Sequence, residues 1–453
     1  MDRRTRWAVA ALSIGTLLSP LNSSMIAVAL VPLRNEFGLD ASAVTWVVTV
    51  FYLASAAGQP VMGRFTDRFG PRRVFITGMT AVAVASAATA LAPTFALICL
   101  GRVALAVASA VAFPSAMTLI RPLSERSGVL PSHLLGRIQI ANTSGAAVGP
   151  VLGGFAESAF GWQALFLVNV PLAVLAGIGV ALLVPADKHR PSSGFQTVLA
   201  QADVPGVGLF TAALVCWMIF LLDIANRPSW WLMAVAAIST AAFLWHERRT
   251  AKPFLDISML RANSALAMVY VGFVIFNLVF YLAFFGMPQL LQERGHFPSA
   301  VTGLLMFPLA AVTILLTPSV AKGIDRQGVR AVLKLGAAVL LGGAALLTLA
   351  AVSLAPWLVI AMMTALGVPY CIVNLALTQA LYTCVNPGET GVASGTFQTS
   401  RYVGAILATT VLGITLTTGN TPGNWVITAA VAVVFAAAHL VVACRWQPPP
   451  EAR

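Results

Sequence analysis

The sequence predicts an all-α membrane protein with fourteen transmembrane helices, from its composition, its long apolar runs and the placement of its positive charges. Of 453 residues, 58% are hydrophobic and 9% are charged, whereas soluble proteins carry about 25% charged residues. Mean hydropathy is +0.87. The apolar runs are continuous, and strands of a membrane β-barrel would instead alternate polar and apolar residues.

Each predicted span approaches the length of about 20 apolar residues that crosses the hydrocarbon layer. The first 18 residues resemble a signal peptide, but the apolar run continues to Val31, so an uncleaved first span is predicted. The spans are 8–31, 44–63, 74–92, 95–119, 138–157, 164–184, 204–223, 229–245, 264–286, 299–320, 332–352, 356–383, 391–417 and 423–444.

The 27 Lys and Arg residues fall almost entirely in every second gap between the spans. The other gaps hold only Arg34, Arg227 and Arg294. Because cationic loops resist translocation, the basic gaps mark the cytoplasmic side, and both termini are predicted to be cytoplasmic. The net charge of +12 is scattered over short loops. Membrane orientation therefore explains it better than nucleic-acid binding, which needs a clustered patch.

No pattern indicates a cofactor, a metal site or an enzyme. The five cysteines lie in or at the ends of spans without a C-x-x-C pair, so neither disulfides nor metal ligands are predicted. A phosphate-binding glycine loop of the Walker type, a nucleophile triad and a zinc spacing are all missing from the sequence. An ATP-driven pump is therefore unsupported.

A short charged segment occurs twice. Gly63–Arg73 follows the second span and Lys322–Arg330 follows the tenth, with Asp, Arg, Gly and Arg at the same spacing. The copies are eight spans apart, as expected of two six-helix halves with two inserted helices. The predicted division is residues 1–184 (first bundle), 185–249 (linker and inserted helices) and 250–453 (second bundle).

Several motifs point to one known family. They are Gly63–Arg73, Gly101–Leu105, Gly145–Gly154, Leu21–Pro32, and the W-x-x-x-F-x-x-N-x-P pattern from Trp162 to Pro171. Together they resemble the major facilitator superfamily, specifically its fourteen-helix drug:proton antiporter branch, over nearly the whole chain. The resemblance implies the major facilitator fold, with two six-helix bundles related by a pseudo-twofold axis along the membrane normal, plus two linking helices.

The resemblance implies that the repeated charged segment is a conformational latch between the halves. Glycines in it would permit a tight turn at the membrane face, and its aspartate would pair with an arginine or lie at a helix N-terminus. A solvated cluster that only anchors topology is the alternative. The latch residues are Gly63, Asp67, Arg68, Gly70, Arg72, Asp325 and Arg326.

Arg102 lies well inside span four, where a charge is costly and usually functional. It matches the family's intramembrane arginine, implicated there in proton handling, although it could also extend to an interface. The family's candidate proton carrier, an aspartate in span one, is Asn22 here, and asparagine cannot titrate. All fifteen acidic residues lie in loops or at span ends. Proton coupling is thus implied by the resemblance alone.

Span five resembles the family's antiporter motif. Gly145, Gly149 and Gly153 share one helical face, which lets another backbone approach closely, and Pro150 kinks the helix. Ordinary glycine-mediated packing is compatible with the same pattern.

Polar residues within spans are candidates for a substrate cavity, because a polar group facing lipid would be expensive. Arg401 is a second intramembrane cation, and the phenylalanine stripe of span nine is more typical of packing. The cavity candidates are Asn22, Asn169, Tyr270, Asn277, Tyr281, Asn374 and Gln398.

The expected function is export of small hydrophobic or amphipathic organic compounds by alternating access, driven by protons, from a monomer in a bacterial cell membrane. The expected partners are a small-molecule substrate, protons and the lipid bilayer, with no nucleic acid and no cofactor. A facilitator or a carrier not coupled to protons keeps the same fold. A non-transporting membrane sensor is the alternative from a different class.

Overall fold

The computed structural model describes residues 3–128, 131–187, 203–223, 229–250, 263–385, 390–416, 419 and 421–448. Within these ranges the regular secondary structure is entirely helical. The α-helices are α1 Arg3–Met25, α2 Leu30–Phe37, α3 Ala41–Phe69, α4 Pro71–Ala90, α5 Phe95–Ser109, α6 Ala112–Ser127, α7 Pro131–Phe160, α8 Ala164–Leu167, α9 Asn169–Leu183, α10 Val204–Asp223, α11 Trp230–Arg249, α12 Ser264–Glu293, α13 Ser299–Gln327, α14 Val329–Leu346, α15 Pro356–Cys384, α16 Thr390–Thr415 and α17 Pro422–Arg445.

Within the described part of the chain, ten helical segments are long and apolar enough to cross a membrane. They match ten of the predicted spans, so this is a multi-pass membrane protein. Helices α7, α10, α11 and α16 cover the other four predicted spans. The count of fourteen membrane crossings remains a prediction.

The helices pack in a pattern that repeats between the two halves. In the first half α1 packs on α7 and α4 on α9, and in the second half α12 packs on α16 and α14 on α17. Between the halves, α7 packs on α13 and α3 packs on α16. These two contacts are reciprocal, since each joins the fifth span of one half to the second span of the other. Such reciprocity is what a twofold relation between bundles requires.

Both copies of the charged segment form the same corner between helices. Gly70 ends α3 with a φ of +94°, and Gly328 ends α13 with a φ of +80°. Glycine adopts such backbone conformations at low cost, and the next helix starts directly afterwards in each case. The turn expected at Gly63 was wrong, because α3 continues through it to Phe69. The charged segment is therefore mostly the end of a helix rather than a loop.

The two bundles are joined at the ends that face the basic-poor gaps. Arg34 forms a salt bridge with Glu293, with Nη1 and Oε1 2.5 Å apart. The Gln292 side chain donates to the Val28 carbonyl at 2.8 Å. Arg294 donates to the Ala350 carbonyl at 3.1 Å within the second half. Two of the three cations that depart from the alternating charge pattern thus have specific structural partners; the third, Arg227, lies outside the described residues.

Candidate functional site

Two adjoining cavities lie between the bundles. The aromatic cavity is lined in part by Phe280, Phe284 and Tyr370, and the tyrosine cavity in part by Tyr52 and Tyr402. Ser23, Ala146 and Tyr281 line both. Their water-accessible volumes are about 20 and 40 Å³, which is room for one to a few waters. The bundles must therefore separate before a larger molecule can enter.

Aromatic rings form the walls of both cavities. Four of the chain's six tyrosines line them. Tyr370 stacks on Phe280 with ring centroids 4.1 Å apart, and Tyr52 lies 5.5 Å from Tyr281 and 5.6 Å from Tyr402. Because Tyr52 belongs to the first bundle and Tyr281 and Tyr402 to the second, these ring contacts cross the bundle interface. Rings with polar edges suit a ligand that is mostly apolar.

Arg401 supplies the positive charge of the tyrosine cavity. It lies on α16, and its Nη2 donates to the Tyr370 hydroxyl at 2.9 Å. Gln398 lies one turn earlier on α16 and lines the same cavity. Across the cavity, Gln59 of α3 donates to the Tyr402 hydroxyl at 3.2 Å. The described residues that line the two cavities include no Asp or Glu.

Arg102 and Asn22 form a buried pair behind the tyrosine cavity. Arg102 is fully buried, so it does not extend to an interface. Its Nε donates to the Val47 carbonyl at 3.0 Å, and its Nη1 donates to Oδ1 of Asn22. The guanidinium lies over the Phe51 ring at 4.1 Å, and that ring lines the cavity. Two residues that the sequence singled out separately are thus direct partners.

Five of the seven sequence candidates line neither cavity: Asn22, which accepts from Arg102, and Asn169, Tyr270, Asn277 and Asn374. Asn169 donates to the Phe166 carbonyl at 3.1 Å, at the point where α8 ends and α9 begins. Tyr270 donates to the Ala393 carbonyl at 3.1 Å, and Asn277 to the Phe273 carbonyl of its own helix at 2.7 Å. Asn374 is half-buried on α15 and lines neither cavity.

Sequence reasoning missed several residues that line the cavities. Phe280 and Phe284 belong to the stripe assigned to packing, although they line the aromatic cavity. Tyr52, Gln59 and Tyr402 were not singled out at all. A signal for Gln59 was present, since a glutamine inside an apolar span is as costly to expose to lipid as the asparagines that were chosen.

The glycine face of α7 packs directly on α1. A Cβ on Gly145 would lie 2.8 Å from the Leu17 carbonyl oxygen, and one on Gly153 would lie 2.8 Å from that of Met25. A Cβ on Gly149 would overlap the Ser24 side chain. The close approach continues on the other side of α7, where Pro150 meets Gly303 of α13 and Gly154 meets Ser299. Helix α7 is therefore held between its own bundle and the opposite one.

The charged corner after α3 is held by an acid that the sequence had placed in the linker. Asp187 accepts hydrogen bonds from the backbone N–H groups of Arg72, at 3.1 Å, and Arg73, at 2.9 Å. The Arg72 guanidinium donates to the Ala181 carbonyl at 2.6 Å. The acid at the N-terminus of α4 is thus Asp187, whereas Asp67 lies in the last turns of α3.

The side chains of Asp67 and Arg68 lie outside the described atoms, and Asp325 and Arg326 are exposed at the end of α13.

Replacing Asp187 by alanine is expected to lower the free energy of unfolding by about 1 kcal/mol, as loss of a helix N-cap does. The substitution leaves two N–H groups at the start of α4 without their acceptor. Thermal unfolding of the purified protein in detergent measures the effect. Asp187→Asn keeps one acceptor oxygen and serves as the matched control, with a smaller loss. Equal stability of wild type and Asp187→Ala would contradict this role.

The inserted helices α10 and α11 are joined to each other by polar contacts. His246 Nε2 lies 2.6 Å from Oδ1 of Asp203, and the Trp217 indole donates to Thr240 at 3.1 Å. Helix α10 also contacts α3 and α16, which form the cavity wall on that side. The inserted pair therefore lies against the seam between the bundles.

Comparisons with known proteins identify the family to which this chain belongs. The family profile described as Major Facilitator Superfamily matches residues 12–409. The chain belongs to the Major Facilitator Superfamily. It is 33% identical to the uncharacterized MFS-type transporter YwoD of Bacillus subtilis (strain 168), covering 96% of each chain. It is 29% identical to the lincomycin resistance protein of Streptomyces lincolnensis, covering 86% of this chain and 80% of that protein.

A solved structure shows the same fold. It is a bacterial homologue of the human lysosomal transporter Spinster, with a TM-score of 0.68 at 15% identity, covering 99% of this chain and 100% of that chain. The family match makes the protein a transporter of the major facilitator superfamily, which is a family of transporters and not of enzymes.

Proposed function

We propose that this major facilitator superfamily transporter exports small hydrophobic or amphipathic organic compounds across a bacterial cell membrane. The observation that carries the proposal is the pair of cavities between the bundles, walled by aromatic rings with few polar groups. Such lining suits ligands that are mostly apolar and bear one polar or charged group. Relatives named as a lincomycin resistance protein and as a multidrug efflux pump support export as the direction.

Transport by alternating access accounts for the contacts between the bundles. The Arg34–Glu293 salt bridge and the Gln292–Val28 hydrogen bond close the side that faces the basic-poor gaps. With the basic loops in the cytoplasm, this closed side is extracellular. Breaking these contacts while the latch forms at the opposite end would expose the cavity to the outside. Asp67, Arg68, Asp325 and Arg326 are the residues proposed to form and release that latch.

Protons are the proposed driving species, and the protein is proposed to act as a monomer with residues 1–184 and 250–453 as its moving bundles. Residues 185–249 would link them. The second candidate is a facilitator or a carrier not coupled to protons. The observation in its favour is that Arg102 is paired with the neutral Asn22 rather than with a carboxylate.

Efflux of the neutral dye Nile red from expressing cells tests the proposal. Export above that of cells with an empty vector is expected, and it should stop when a protonophore collapses the proton gradient. Export that persists without the gradient would favour the second candidate. Nile red retention equal to that of the empty-vector cells would count against export of amphipathic compounds.

A further inference from the structure

We propose that the tyrosine cavity selects organic anions, namely flat aromatic compounds with one negative charge, and that Arg401 is the counter-ion. This inference rests on the proposed export function and names the substrate class of the same site. It follows from three features of the described residues: an uncompensated cation, a tyrosine hydroxyl group left to donate, and a second cation behind the wall.

The charge of Arg401 has no acidic partner in the cavity. Its Nη2 donates to the neutral Tyr370 hydroxyl, and its buried Nε has no hydrogen-bond partner. The described lining residues include no carboxylate. A guanidinium held away from water is costly unless an anion pairs with it, and bidentate binding of a carboxylate or a similar oxyanion is its preferred geometry. A bound anion would supply the negative charge that the described lining residues lack.

The Tyr370 hydroxyl beside Arg401 is arranged to donate a hydrogen bond. The Tyr370 oxygen accepts from Arg401, and the Tyr402 oxygen accepts from Gln59. Because the Tyr370 oxygen already accepts a bond from Arg401, its hydroxyl hydrogen can be donated to a ligand oxygen. The Arg401 guanidinium together with a phenolic hydrogen-bond donor favours binding of an anion over binding of a cation.

Arg102 adds a second positive charge behind the wall. Its guanidinium lies 4.1 Å from the centroid of Phe51, whose ring separates it from the cavity. Its side-chain partner, Asn22, is neutral. The surroundings have a low dielectric constant, so the charges of Arg401 and Arg102 act on a ligand in the cavity with little screening. A cationic ligand would therefore be repelled. The stacked rings of the adjoining aromatic cavity, such as Phe280 and Tyr370, would still favour a flat aromatic body.

Two xanthene dyes of matched size and opposite charge test the inference. Fluorescein methyl ester is an anion above neutral pH, and rhodamine 123 is a cation with the same ring system and the same ester. Transport of each is measured in proteoliposomes at several dye concentrations, and the quantity compared is the ratio of the two efficiencies. A general loss of folded protein lowers the transport of both dyes by the same factor. The ratio therefore reports charge selection alone.

Wild type is expected to transport the anionic dye at least tenfold more efficiently than the cationic one. Arg401→Gln should bring that ratio close to one, and Arg401→Lys should retain most of it. Arg249→Gln is the matched control, because Arg249 is exposed and stacked on Trp245 at 4.3 Å, away from the cavity. Its ratio should equal that of wild type.

A wild-type ratio of one or less, or a ratio unchanged in Arg401→Gln, would overturn the inference. Export of Nile red without transport of either xanthene dye would also overturn it, while leaving the export function in place. Absence of transport of Nile red and of both xanthene dyes would instead remove the proposed function itself.

Discussion

Gly149→Leu is expected to reduce transport at least tenfold and to lower the free energy of unfolding by about 1–3 kcal/mol, as overpacking of a tight interface does. Even the first atom of a side chain at this position would overlap Ser24 and lie 3.1 Å from the Met25 backbone nitrogen. Helix α7 cannot yield by moving away, because α13 packs on its other side. The substitution would therefore change both the bundle and its contact with the opposite bundle. Nile red efflux and thermal unfolding in detergent measure the two effects.

Gly342→Leu is the matched control. Gly342 lies within α14, it is exposed, and a Cβ there would meet no atom within 4 Å. Leucine at that position should leave transport unchanged and should not destabilise the helix, since glycine is the weaker helix former by about 1 kcal/mol. If Gly149→Leu exports dye as well as Gly342→Leu does, the close approach of α7 to α1 is not required for transport.

The sequence predicted helix content and the repeat well because both depend on local patterns. Continuous apolar runs indicate helices, and the glycines of the two charged segments recur because both corners need a positive φ. The ends of the helices were predicted less well. Helix α3 runs past the predicted end of its span to Phe69, since charged residues leaving the membrane do not interrupt helical hydrogen bonds.

The cavity was predicted only in part, because its lining comes from helices far apart in the sequence. Tyr281, Gln398 and Arg401 were chosen from single helices, but no local pattern joins them to Tyr52 of α3. Asp187 was missed for a similar reason. A carboxylate in a polar linker has no periodicity, and its role depends on the chain returning to the N-terminus of α4.

Asn22→Asp is expected to strengthen or create a pH dependence of transport if Asn22 lies in the proton path. The side chain is the neutral acceptor for Arg102, which is fully buried. A protonated aspartic acid is neutral like asparagine, so the variant should approach wild-type activity as the pH falls. As the pH rises, the carboxylate would form a charged pair with Arg102, and breaking that pair during the transport cycle would become harder. Initial rates of Nile red efflux across a pH series measure the effect.

Asn22→Leu separates this electrostatic role from a structural one. Leucine is similar in volume to asparagine, but it removes the hydrogen-bond acceptor of the buried Arg102 guanidinium. This loss should lower the free energy of unfolding by about 1–3 kcal/mol or more. Its transport should fall by the same factor at every pH, because leucine cannot titrate. If the pH profile of Asn22→Asp superimposes on that of wild type, Asn22 lies outside the proton path. The pair with Arg102 then stabilises the first bundle and takes no part in coupling.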